Sequence, residues 1–169
     1  MRRLLSAILV LAAAAGPAAA QEWVEHRPPG IGYRIEMPEA PKQRAQDVPS
    51  AAGPIKAVLA FVDRGNVGFI VGHSDYPASA FDGRSMETVL DDIVKGQVGR
   101  NTLREQGPIA ISGRPGRAAV IDGAQGLVIV TRAVLVETRL FQAIYVGPKG
   151  SETGDDAKRF LGSFALVER

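Results

Sequence analysis

The sequence contains no cysteine and only two histidines, His26 and His73. Without cysteine no disulfide can form, although exported domains often depend on them. A lipid cannot be attached at a new N-terminal cysteine either. Aromatic residues make up 6% of the chain, too few for a base-stacking surface. Net charge is nearly absent as well: 20 Lys and Arg stand against 18 Asp and Glu.

What is present begins with an export pattern. Met1-Arg2-Arg3 is basic, and Leu4 to Ala15 is apolar apart from Ser6. Gly16-Pro17 would break a helix, and Ala18-Ala19-Ala20 supplies small residues. This order of charged, apolar and small regions is that of a cleaved signal peptide. The run falls short of the roughly 20 apolar residues a spanning helix needs, so no stable membrane insertion is expected after cleavage. The expected organisation is a signal peptide over 1–20 and one globular domain over 21–169, periplasmic or secreted. Cleavage removes Arg2 and Arg3 and leaves 18 basic against 18 acidic residues. A nucleic-acid partner is not expected from a neutral chain with no basic stripe. The 149 residues of the mature chain are enough to bury roughly 70% of the unfolded surface. One core can therefore form unaided.

Tyr33, Ile35 and Met37 alternate with Arg34 and Glu36 and predict a half-buried strand. Residues 38–54 hold four prolines and no period, and are read as an exposed loop with ragged edge strands at most. Strands are expected over 55–62 and 67–74, joined at Arg64-Gly65-Asn66 as an antiparallel hairpin. Ser85 is a helix N-cap, followed by apolar Met86, Val89, Leu90, Ile93 and Val94 at helical spacing, with an end near Gly96 to Gly99. Ile109 and Ile111 mark a strand, Arg114-Pro115-Gly116-Arg117 fits a type II turn, and 117–121 returns. Residues 127–136 read as a central strand covered on both sides, turning at Glu137-Thr138 into 139–146. A last helix starts at Asp155-Asp156, with Ala157, Phe160 and Leu161 on one face. Strand pairs with two separated helices indicate an α+β fold.

Several segments, in order, resemble a group of small exported bacterial domains of unknown function, related in architecture to the PsbP-like fold. They are Tyr33-Arg34-Ile35-Glu36-Met37-Pro38, Ser74-Asp75-Tyr76-Pro77, Gly113-Arg114-Pro115-Gly116-Arg117, Arg139-Leu140-Phe141-Gln142 and Arg159-Phe160-Leu161-Gly162-Ser163-Phe164. The resemblance implies an antiparallel sheet of about six to seven strands flanked by helices, a PsbP-like α/β/α sandwich. It implies an accessory or binding module and no enzyme mechanism.

The chemistry-bearing residues are few. Ser74 lies in Gly72-His73-Ser74-Asp75-Tyr76, which lacks the second glycine and the strand-to-helix turn of a hydrolase elbow. His73 and Asp75 are two apart on a strand, so they share a face and could both reach one ion; a third ligand is not evident. Residues 147–154 are glycine-rich and precede a helix, but lack the phosphate-loop order, and Glu152, Asp155 and Asp156 would repel phosphate. Fifteen of the twenty basic residues are Arg, with Arg114, Arg117, Arg132 and Arg139 in the second half of the sheet. Arg132 interrupts an apolar strand. It either pairs internally with Glu105, Asp122 or Glu137, or forms part of a face that binds carboxylate or phosphate. The expectation is a non-catalytic module of the cell envelope, possessing no cofactor and acting on an envelope protein partner. The alternatives are a small metal-dependent hydrolase using His73 and Asp75, and a carrier of a small anionic ligand using the Arg-rich sheet face, where Arg132 would converge with another Arg.

Overall fold

The computed structural model describes residues 22–49 and 53–168; the expected signal peptide lies outside them. Ten strands and two helices follow in the order β1 Val24–His26, β2 Tyr33–Met37, β3 Lys42–Val48, β4 Ile55–Asp63, β5 Gly68–Asp75, α1 Met86–Val98, β6 Thr102–Ile111, β7 Arg114–Asp122, β8 Leu127–Val136, β9 Arg139–Pro148, α2 Asp155–Ser163 and β10 Ala165–Leu166. Seven strands form one antiparallel sheet in the order β3-β4-β5-β9-β8-β7-β6, and β1, β2 and β10 form a second, small one. The fold is α+β, with the large sheet as its middle layer.

Alternation along the strands assigns two faces to this sheet. One carries Phe69, Val71, Phe141 and Tyr145, packed against β2 and against Phe160 and Phe164 at the second helix. Phe160 is wholly buried and meets Phe69 edge to face at 5.3 Å. The opposite face carries Ala133, Leu135 and Leu140, against Val89 and Leu90 of α1. Adjacent residues of β8 thus pack in opposite directions, and Ala133, Val134 and Leu135 are all buried. This matches the continuous apolar run that predicts a doubly covered strand.

The helix ends follow local chemistry. The Ser85 hydroxyl accepts from the Thr88 amide at 3.1 Å, and Glu87 lies at the positive end of α1. Gly99, with φ of 51°, closes the helix. The helix runs through Gly96, and Met86 is 40% exposed and does not join the buried face.

The structure corrects four sequence expectations. Residues 42–48 are a seven-residue strand within the expected loop 38–54. β3 is an edge strand with mostly exposed side chains, so backbone pairing to β4 forms it without any apolar period. The strand marked by Ile109 and Ile111 also begins earlier than its apolar residues predict, because β6 is the opposite edge and starts at Thr102. The turn between β6 and β7 falls at Ser112-Gly113, with φ of 49° and 76°, and not at 114–117. Two consecutive positive φ values suit the right-handed twist of a hairpin. Pro115 instead pairs with Ala110 inside the strand, just before the β8 ladder begins at Gly116. Finally, the segment ahead of Tyr33, for which the sequence predicts no element, contributes the short β1, paired to β2.

Candidate functional site

His73 and Asp75 do share a face of β5. Asp75 is bound by Arg139 of β9, its cross-strand partner, through a two-pronged contact at 2.6 and 2.7 Å. This geometry is the strong form of an arginine–carboxylate pair, and it raises the Arg139 pKa further. An ion at Asp75 would have to displace that guanidinium. His73 is half-buried, its ring 6.3 Å from that of Phe141, and its Nδ1 is enclosed without a hydrogen-bond partner. Burial first, then the nearby Arg139 charge, lower its pKa below the usual histidine value, against the opposing pull of Asp75. Among the described residues no three His, Cys, Asp or Glu side chains are grouped to hold a metal ion. Ser74 points to the other face of the strand, buried among apolar neighbours.

The arginines are divided between the two faces. Arg117 faces α1 and meets Asp91 at 2.6 Å. Arg132 faces α2 and donates to the Leu161 carbonyl at 2.8 Å, near the end of that helix. There the exposed carbonyls and the helix dipole favour a cation. Burial lowers the Arg132 pKa. Its partner is a backbone carbonyl, not Glu105, Asp122 or Glu137. Arg114 is exposed at the β6–β7 hairpin.

The glycine-rich loop 147–154 is held by ion pairs. Arg104 contacts both Asp122 and Glu152, and Lys149 approaches Asp122 at 3.3 Å. Hydrogen bonds from Arg104 lower the pKa of both carboxyls. Glu152 Oε2 also accepts from the Gly150 amide. The loop's own acid therefore occupies the backbone donor that a phosphate would need.

A larger concavity than any of these clusters forms lies elsewhere, among the described residues. A helix is about 10 Å across, whereas seven strands at about 4.8 Å spacing span about 29 Å. One helix cannot cover such a face, and α1 lies mainly over β7 and β8, reaching β9 at Leu140. Beside it is a groove of about 880 Å³, floored by β4, β5 and β9 and bounded by β3 and α1. Its floor is apolar: Ile55, Ala57, Leu59, Ile70, Leu140 and Ile144. Gly72 lies opposite Leu59 and keeps the floor low.

Two polar side chains interrupt this lining. Gln142 Nε2 on β9 and Gln97 Oε1 on α1 are enclosed and have no hydrogen-bond partner. The fully buried Thr131 Oγ1 is also unpartnered, and its residue is diagonal to Gln142 on the same face. The charged residues of the groove, Arg84 and Asp92, pair with each other. Sequence reasoning missed this groove. The available signal was Gln142 between Leu140 and Ile144 in an otherwise apolar alternation, together with the shortage of helix to cover the sheet.

A large antiparallel sheet with a helix on each face, the small sheet beside one of them, defines the class of this domain. The fold is similar to the solution structure of cyanobacterial PsbP (CyanoP) from Synechocystis sp. PCC 6803, with a TM-score of 0.55 at 12% sequence identity. The similarity covers 91% of this chain and 98% of that one. The chain has a PsbP-like fold. No protein-family model and no curated protein matches it.

Proposed function

We propose that the protein is an exported, non-catalytic accessory or binding module of the cell envelope, periplasmic or secreted, and that the groove beside α1 is its binding face. The observation that carries this reading is the groove itself. It has the size of a ligand site, within the roughly 300–1,000 Å³ typical of them, and it combines an apolar floor with a few buried polar atoms. The PsbP-like fold is compatible with an accessory role, and the N-terminal pattern of charged, apolar and small residues supports export. Among the described residues no helix is long and apolar enough to cross a membrane.

The two alternatives have less support. His73 and Asp75 share a strand face, but Arg139 holds both oxygens of Asp75. An anion carrier needs converging arginines, and Arg117, Arg132 and Arg139 each have a partner of their own.

The cysteine-free background makes the test simple. Ser79→Cys at the groove and Lys158→Cys on α2 each introduce one thiol at an exposed position. Each is labelled with a benzophenone and irradiated in the intact envelope, and adducts of any kind are read by mass. Adducts specific to the Ser79→Cys variant are expected. Equal labelling from both positions, or none, would refute the groove as the binding face. Intact mass of the purified mature chain should start at Gln21; a retained leader would refute cleavage.

A further inference from the structure

Resting on the reading of the groove as a binding face, we infer that its occupant is an uncharged amphiphile, an acyl chain ending in an amide. Three observations lead there. First, the two unpartnered amide atoms, Gln142 Nε2 and Gln97 Oε1, are a donor and an acceptor lining one cavity. Leaving such atoms enclosed and unpaired forfeits their hydration with nothing in return. A head group that both accepts and donates removes that cost at both positions, and an amide does so without carrying charge. Either amide orientation of the two glutamines meets the same head, because each side chain has one oxygen and one nitrogen.

Second, the groove is electrically neutral. Arg84 and Asp92 satisfy each other, and the His73 ring lies on the opposite sheet face, beside Phe141. A carboxylate or ammonium head would enter without a counter-charge, and desolvating it would be expensive. Third, the polarity is graded along the groove. The unpartnered glutamines lie at the β9–α1 side, while towards β3 the lining is Val48, Ile55 and Leu59 with Gln46, whose oxygen already accepts from Arg44. From β9 to β3 is three strand spacings, about 14 Å, which leaves room for a chain running away from the head across the strands.

The inference is tested by calorimetric titration of the mature protein with N-decanoylglycinamide, against decanoate and decyltrimethylammonium at pH 7.5, all below micellar concentration. The amide should bind one to one and at least tenfold more tightly than either charged chain. Gln142→Leu and Gln97→Leu should each weaken it about tenfold, the weight of one buried hydrogen bond, while Leu59→Trp fills the groove and abolishes binding. Lys158→Ala should change nothing. The comparison of the three chains needs no variant and so survives any folding defect. Failure of the amide to saturate, equal affinity for decanoate, or undiminished binding by both leucine variants would overturn the inference. In each of these cases groove-specific photoadducts would leave the binding-face reading standing; their absence would remove it too.

Discussion

Replacing Gly72 with alanine should loosen the floor of the groove, and a second glycine in the same strand provides the control. A Cβ built on Gly72 would be 2.3 Å from the Val58 carbonyl oxygen and 2.7 Å from Leu59 Cδ2. The first contact is with backbone, so rotating a side chain cannot relieve it. Moving β4 away by about 1 Å would restore van der Waals distance, but at that displacement the adjacent ladder hydrogen bonds no longer form. Two such bonds are worth about 2 kcal/mol, and local overpacking adds about 1–3 kcal/mol. The reduced freedom of the unfolded chain gives back about 0.4–1 kcal/mol. The net loss is about 3 kcal/mol, a fall in melting temperature of about 6–12 °C for a chain of this length. Gly68 begins the same strand, and a Cβ there meets Val146 Cβ at an ordinary 3.9 Å. Gly68→Ala should therefore leave stability unchanged or raise it by up to about 1 kcal/mol. Urea unfolding followed by circular dichroism measures both variants. Equal midpoints for Gly72→Ala and Gly68→Ala would refute the close-approach reasoning.

Further outcomes follow from the core and the histidines. Burial lowers the pKa of His26, and burial with Arg139 lowers that of His73. The unfolded chain, with histidines near 6.5, then binds more protons than the folded one, so stability present above that value should be lost as pH falls below it. His73→Phe should flatten the decline in urea midpoint between pH 7.5 and 5; an unchanged slope would place the cause elsewhere. Phe160→Ala removes a wholly buried ring packed edge to face on Phe69 and should cost about 3–5 kcal/mol, with a loss below 1 kcal/mol contradicting its place in the core. Ser85→Ala removes the N-cap of α1 and should cost about 0.5–2 kcal/mol in the same assay; no change would mean that the cap is dispensable.

The two helices show where sequence is legible. Ser85, Val89, Leu90 and Val94 encode α1 because a cap and a 3.6-residue apolar period act within a single segment. β8 was equally legible, since a strand covered on both sides needs no polar alternation. Edge strands are different. β3 and the first part of β6 are held by backbone pairing that asks nothing of their side chains, and KQRAQDV reads as loop until β4 is beside it. The Ser112-Gly113 turn was hidden for a related reason. Pro115-Gly116 has the stronger local turn signal, and only the paired register of β6 and β7 shows that it lies within a strand.

The candidate site depended still more on tertiary structure. His73 and Asp75 were legible as a pair because the period of a strand is two. Arg139 joins them from 64 residues further along the chain, a distance that no local spacing encodes. Gln97 and Gln142 lie on different elements, and each alone looks like an ordinary polar residue. The elements with local signals, the cysteine-free core and the α+β class were readable from the residues alone, because periodicity, caps and composition act over a few positions. Which partner each arginine has, and that α1 leaves β4, β5 and part of β9 open, emerged with the folded chain. Partnering and coverage are properties of strand order, register and the width of one helix against seven strands.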